Sequence, residues 1–327
     1  MALTALRSFS SSTPGSVFRT SCKPSKTPPC RSFTMTQSRA LSSYLVTPSE
    51  LHSALKANPK SRIATSPRTV PLCASWFLPT SHLNGYETFR QRHIPDSRFF
   101  DLDAVKDERS PYPHMLPSAE VFANAMGKMG ISKGDVVVVY DSAEMGIFSA
   151  PRVAWTLRVF GHPNTHVLNN FKLYVEQGYP VEEGEQATYE EVGYPVPELD
   201  ARKVVAFEEV REVAKDHGKE GSEEVQILDA RPKGRWAGTD AEPRPGLPSG
   251  HIPGSISVPM SDVLDPKTKT FLPSEALKKL FESKGVDRTK RIISSCGTGV
   301  TAAVIDAALA EAGYKGSWRR LYDGSWT

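Results

Sequence analysis

Two short apolar runs punctuate the chain, and each is followed by a longer segment with apolar residues at helical spacing. Val136-Val137-Val138-Val139-Tyr140 is apolar at every position and closes on Asp141. That is the pattern of a strand buried on both faces, not of one with a solvated side. Residues 150–160 then read as a helix. Further on, Arg291-Ile292-Ile293-Ser294-Ser295 reads as a second strand, and residues 300–312, rich in Ala, as a second helix. Strand and helix signals in alternation predict an α/β fold, each mostly parallel sheet flanked by helices.

The signals come in two sets. Leu72-Cys73-Ala74-Ser75, Arg92-His93-Ile94-Pro95 and Val138-Val139-Tyr140-Asp141 return as Leu228-Asp229-Ala230-Arg231, Gly250-His251-Ile252-Pro253 and Ile293-Ser294-Ser295-Cys296, at offsets of 156, 158 and 155 residues. A near-constant offset predicts one unit written twice. The Glu-rich stretch after Glu182, with Pro195 and Pro197, reads as a linker. This divides the chain into a first domain (43–181), a linker (182–205) and a second domain (206–327). The copies end differently. The first continues through Phe171 to Tyr179, a further helix. The second has only Ser325, Trp326 and Thr327 after Gly324, and reads as C-terminally short.

Composition narrows the function classes. Of 327 residues, 39% are hydrophobic and 24% charged, with a net charge of +3, so nothing calls for nucleic acid or a membrane surface as partner. No apolar run approaches the roughly 18 residues of a membrane span. The four cysteines, Cys22, Cys30, Cys73 and Cys296, lack the spacing of a disulfide framework or a zinc site. We therefore expect free thiols in a reducing compartment, with no metal and no cofactor. The tail is distinct. No Asp or Glu precedes Glu50, while Arg7, Arg19, Lys23, Lys26, Arg31 and Arg39 stand among many Ser and Thr. Residues 1–42 have the composition of an organelle transit peptide, which favours the mitochondrion. Met35 offers a second start that would leave a cytosolic form.

The candidate chemistry lies at Cys296-Gly297-Thr298-Gly299-Val300-Thr301, between a strand and a helix. A cysteine there faces the crevice where open α/β sheets bind ligands. The helix N-terminus, with its unpaired N–H groups and positive dipole, favours the thiolate. Gly297 and Gly299 let the backbone curl so that N–H groups converge on the sulfur, and Thr298 and Thr301 add hydroxyls. The bland account is a buried structural cysteine. A Cys-based phosphatase needs an Arg six positions after the cysteine, where this chain has Ala302.

The loop, the duplication and the paired His-Ile-Pro signals together resemble the rhodanese family of sulfurtransferases over nearly all of residues 65–327. The resemblance implies two tandem rhodanese-like domains. The second would be catalytic, with Cys296 carrying sulfur as a persulfide, and the first silent, with Asp141 at the matching position. The loop resembles that of the branch using 3-mercaptopyruvate, which typically carries Ser where Thr298 stands; thiosulfate-preferring members carry basic residues there. Arg235 and Arg244, in Gly234-Arg235-Trp236-Ala237-Gly238 and Glu242-Pro243-Arg244, match the family's substrate-holding pair. Guanidinium groups suit a keto acid because they make planar, paired, charge-assisted hydrogen bonds. Gly297, Gly299, Val300 and Thr301 complete the expected donor-binding loop. The branch's Ser–His–Asp relay maps to Thr298 and His93, with Asn84 where the Asp is expected; His93 is otherwise a turn residue before Pro95. His251, Asp229 and Arg231 read as structural. The implied partners are a small anionic sulfur donor and a thiol acceptor such as thioredoxin, or cyanide. Thiosulfate as donor and a non-catalytic persulfide relay remain alternatives.

Overall fold

In the computed structural model the chain is described over residues 41–59, 67–219 and 224–326. Residues 1–40, which hold most of the segment read above as a transit peptide together with Met35, Cys22 and Cys30, lie outside them. The elements of the first copy are β1 (Leu45–Val46), α1 (Pro48–Lys56), β2 (Thr69–Cys73), α2 (Gly85–Gln91), β3 (Arg98–Phe99), α3 (Ala119–Lys128), β4 (Val136–Tyr140), α4 (Ala150–Val159), β5 (Asn164–Leu168) and α5 (Phe171–Glu176). Those of the second are β6 (Val204–Val205), α6 (Phe207–Asp216), β7 (Val225–Asp229), α7 (Lys233–Ala237), β8 (Ile256–Ser257), α8 (Ser274–Ser283), β9 (Arg291–Ser295), α9 (Val300–Glu311) and β10 (Arg319–Tyr322).

Each copy forms a five-stranded parallel sheet, ordered β1-β5-β4-β2-β3 and β6-β10-β9-β7-β8. The two orders are the same, as the duplicated signals require. The apolar runs become the middle strands β4 and β9. On β4, Val137 and Val139 face one core, with Val153 and Leu157 of α4; Val138 and Tyr140 face another, with Phe89, Ile94 and Phe171. A strand buried on both sides favours apolar residues on both faces, which is why alternation is missing from the sequence of β4; β9 buries the small Ser294 and Ser295 as well.

The two copies share a core. Val137, Val153 and Leu157 belong to the same buried cluster as Ile292, Val304 and Leu309, and α4 packs on α9. Helix α9 buries Val300, Ala302, Ala303, Val304, Ile305, Ala307, Ala308 and Leu309. It is apolar almost all round because it lies between its own sheet and α4. Leu309→Ala would cost roughly 2–5 kcal/mol there. The Glu-rich stretch is laid against the first copy. The Tyr194 hydroxyl meets His162 Nδ1 at 2.9 Å, and the Arg98 guanidinium stacks over the Tyr189 ring.

Parallel strands bring their C-terminal ends to one edge. Asp229 of β7 pairs with Ser295 of β9, so the loops that start at Ala230 and Cys296 open side by side. The mouth of α9 and the facing end of α4 place this edge against the first copy.

Candidate active site

Cys296 leaves the buried end of β9 and is itself 2% exposed. Its carbonyl accepts from Trp326 N–H at 3.0 Å. Its N–H and that of Gly299 both donate to Ser325 Oγ, at 3.1 and 3.0 Å. Two of the loop amides expected to face the sulfur therefore hold Ser325 instead. The Ser325 hydroxyl lies 3.9 Å from Cys296 Sγ. Gly299 caps α9 with φ 77°, a left-handed conformation that favours glycine. A Cβ there would also fall 2.6 Å from Arg152 Nη1. Gly299 thus shapes the loop rather than lining the cavity.

The cavity in front of the sulfur holds about 220 Å³. Cys296, Gly297, Thr298, Val300, Thr301, Arg235 and Arg244 line it from the second copy, and Trp76, Leu78 and Phe148 from the first. The two arginines differ in their partners. Arg235 Nε donates to Glu242 Oε1 at 3.0 Å and its Nη2 to the other oxygen, while Nη2 also stands close to Gly297. Arg244 makes no hydrogen bond or ion pair with any described residue. Burial pulls its pKa down, against the opposing pull of Asp103 and Cys296. A half-buried guanidinium without a protein partner keeps part of its hydration and leaves its donors free for an anion in the cavity. Arg231 is saturated by Asp229, Glu242 and the Gly250 carbonyl, with Trp326 stacked against it; its work is structural.

Thr298 Oγ meets His114 Nδ1 at 3.3 Å, and His114 Nε2 meets Asp103 Oδ1 at 3.0 Å. Asp103 can only accept when ionised, so Nε2 carries the proton and Nδ1 is free to accept from the threonine hydroxyl. Trp76 Nε1 donates to Asp103 Oδ2 at 2.8 Å and fixes the carboxylate. Burial holds the His114 pKa below the usual histidine value, although Asp103 pulls the other way; Arg152 and Arg244 add to the lowering. The hydrogen bond to His114 is the main cause that lowers the Asp103 pKa.

This corrects the relay expected at His93. Its Nδ1 meets the Phe89 carbonyl at 3.0 Å and its ring stacks on Phe89, in the core beneath α2. His251 does the same in the second copy, with Nδ1 at 2.7 Å from the Trp236 carbonyl and its ring stacked on Trp236. The paired histidines thus share a packing job, and recurrence in both copies was itself the signal. Asn84 caps α2, accepting from the N–H groups of Tyr86 and Glu87. His114 has no counterpart in the repeat signals, as fits a residue of one copy that faces the other.

The comparisons with known proteins bear on the family and the fold. Residues 211–327 match the model of the rhodanese-like domain. The thiosulfate sulfurtransferase TUM1 of Saccharomyces cerevisiae is 42% identical over 274 residues, 80% of this chain and 88% of that protein. Its crystal structure superposes with a TM-score of 0.78 over 86% of this chain and 93% of that one. A probable 3-mercaptopyruvate sulfurtransferase of Schizosaccharomyces pombe is 41% identical, over 80% of this chain and 86% of its own length. Thiosulfate/3-mercaptopyruvate sulfurtransferase 1, mitochondrial, of Arabidopsis thaliana is 38% identical, over 78% of this chain and 70% of its own.

Proposed function

This chain belongs to the rhodanese family of sulfurtransferases, and on that premise we propose that it moves sulfur from 3-mercaptopyruvate, through a persulfide on Cys296, to a thiol or to cyanide. The observation that carries the donor assignment is Arg244, a half-buried guanidinium without a partner among the described residues, lining the same cavity as the sulfur. A keto acid has a carboxylate for that group and a carbonyl for Arg235. Residues 297–301 hold no basic side chain to grip the sulfite half of thiosulfate.

The cycle has two halves. The Cys296 thiolate attacks the donor's sulfur, forming the S–S bond as the C–S bond breaks. The electron pair of that bond goes to pyruvate enolate, and Arg235 and Arg244 stabilise the developing charge. The donor's thiol proton passes to Thr298 as the threonine's own proton passes to His114 Nδ1. The imidazolium, held by Asp103, returns it by way of the Thr298 hydroxyl to the enolate carbon, which gives pyruvate. A thiol, such as that of reduced thioredoxin, then attacks the outer sulfur and restores Cys296. This is covalent catalysis with ping-pong kinetics. His114 must be neutral to accept the proton. Its lowered pKa places the acidic limb of kcat/KM below the ordinary histidine value of about 6.5.

Thiosulfate is the second donor to test, since the yeast relative is named for it. Steady-state rates with both donors decide between them. A kcat/KM at least about tenfold higher for 3-mercaptopyruvate is expected, and equal values would remove the donor assignment. We place the enzyme in mitochondria on the acid-free basic tail and the mitochondrial relative. Import into isolated mitochondria with shortening of the N-terminus is the expected result.

A further inference from the structure

The two halves of the site come from different copies of the fold, so their relative position has to be fixed within an ångström or so for proton transfer to work. One side chain spans the gap. Arg152, the third residue of α4 in the silent copy, is 1% exposed. Its Nη2 donates to the His114 carbonyl at 2.6 Å and to Asp323 Oδ1. Asp323 Oδ2 in turn accepts from Leu116 N–H at 2.9 Å. The turn that carries His114, which itself sits at φ 64°, is therefore gripped on both sides. Two residues after Asp323, Ser325 holds the Cys296 and Gly299 amides. Arg152 Nη1 points at the mouth of α9, where Gly299 leaves it room, and neither Nη1 nor Nε has a partner among the described residues.

We propose that Arg152 is a positioning residue for sulfur transfer, a single guanidinium that sets the relay imidazole in register with the cysteine loop. This rests on the function argued above. It assigns the silent copy a contribution to rate beyond the residues that line the cavity. The guanidinium also acts through its charge. The groups facing His114 are the Asp103 carboxylate, the Thr298 hydroxyl, the Trp76 ring edge and the guanidinium groups of Arg152 and Arg244. Removing one of the two cations makes the imidazolium easier to form. The acidic limb of kcat/KM, which reports the free enzyme, then moves to higher pH.

Two variants separate grip from charge. Arg152→Lys keeps the charge, but its Nζ falls one bond short of the Nη2 position from which both oxygens are reached. It is expected to lower kcat roughly ten- to a hundredfold, with KM for 3-mercaptopyruvate within about twofold and the acidic limb unmoved. Arg152→Gln is expected to lose at least as much kcat and to shift the limb upward. If that variant does not fold, Arg152→Gln/Asp323→Asn, which neutralises both members of the buried pair, is read for the same loss in kcat and, because an anion leaves with the cation, a smaller upward shift. Wild-type kcat and pH profile in the Lys and Gln variants would overturn the proposal. So would a fall in kcat with the limb unmoved in the Gln variant, which is the mark of a merely structural role. A wild-type enzyme that draws no sulfur from 3-mercaptopyruvate would overturn the functional reading and this proposal together, whereas wild-type turnover with unaffected variants removes this one alone.

Discussion

The two copies present the same strand-to-helix turn with opposite contents. In the first, β4 ends at Asp141, and residues 142–149 wind around before α4 begins. The Asp141 carboxylate turns back into that loop. It accepts from the N–H groups of Phe148, Ser149 and Ala150 and from the Ser149 hydroxyl. The anion site at the helix mouth is thus occupied by the protein's own side chain. In the second, only residues 297–299 separate Cys296 from α9, too short a turn to fold an acid back. The thiol there opens on a cavity with two arginines. The same position in the sheet serves as an internal cap in one copy and, on the proposed function, as a reactive centre in the other. Loop length and one side chain decide which.

The largest expected effect is at the centre itself. Cys296→Ser should leave no measurable sulfur transfer, and adding Asp141→Cys to that variant should not restore any. The first turn would then have a thiol but no arginines and no relay. Restored turnover would show that the turn alone makes the enzyme. Next comes the relay. His114→Ala should lower kcat by roughly 10²–10⁴, while His93→Ala leaves kcat within about twofold and lowers thermal stability. Steady-state kinetics and a melting curve read both, and the reverse pattern would restore the relay to His93. Arg244→Ala should raise KM for 3-mercaptopyruvate by roughly ten- to a hundredfold, as expected for losing a charge-assisted contact of about 1.5–3 kcal/mol. Arg235→Ala should raise it less, because Glu242 already occupies part of that guanidinium.

The smallest effect concerns stability in the silent turn. Burial pushes the Asp141 pKa up to about 6, against the hydrogen bonds that lower it. Its folded pKa thus lies above the unfolded value of about 3.9. The folded protein binds this proton more tightly, so the contribution is full below about pH 4 and is lost as pH rises through about 6. The shift corresponds to about 3 kcal/mol at most. Denaturant unfolding should show wild type gaining stability relative to Asp141→Asn as pH falls from about 7 to about 4. A constant difference over that range would contradict this.

Much of this was legible in the sequence, for physical reasons. β4, α4 and α9 carry strong apolar patterns because they are largely buried, and burial is what periodicity reports; β9 shows it only at Ile292 and Ile293. The cysteine loop announced itself through its glycines, and the arginines through their spacing. The relay was not legible in the same way. His114 and Asp103 reach Thr298 from the other copy of the fold, and no local pattern encodes a contact 184 residues apart in the chain. The repeat then pointed the wrong way. A histidine present in both copies answers to what the copies share, which is packing against Phe89 or Trp236. Ser325 and Arg152 were invisible for the same reason: each acts across a distance the sequence does not mark.

The central claim is that Cys296 carries the transferred sulfur, and intact-protein mass spectrometry after incubation with 3-mercaptopyruvate tests it directly. The account predicts that the wild-type chain gains the mass of one sulfur atom, that the fragment bearing it contains Cys296, and that a reducing thiol removes it. An unchanged mass during measurable turnover, or the added sulfur on Cys73 with Cys296 unmodified, would contradict it.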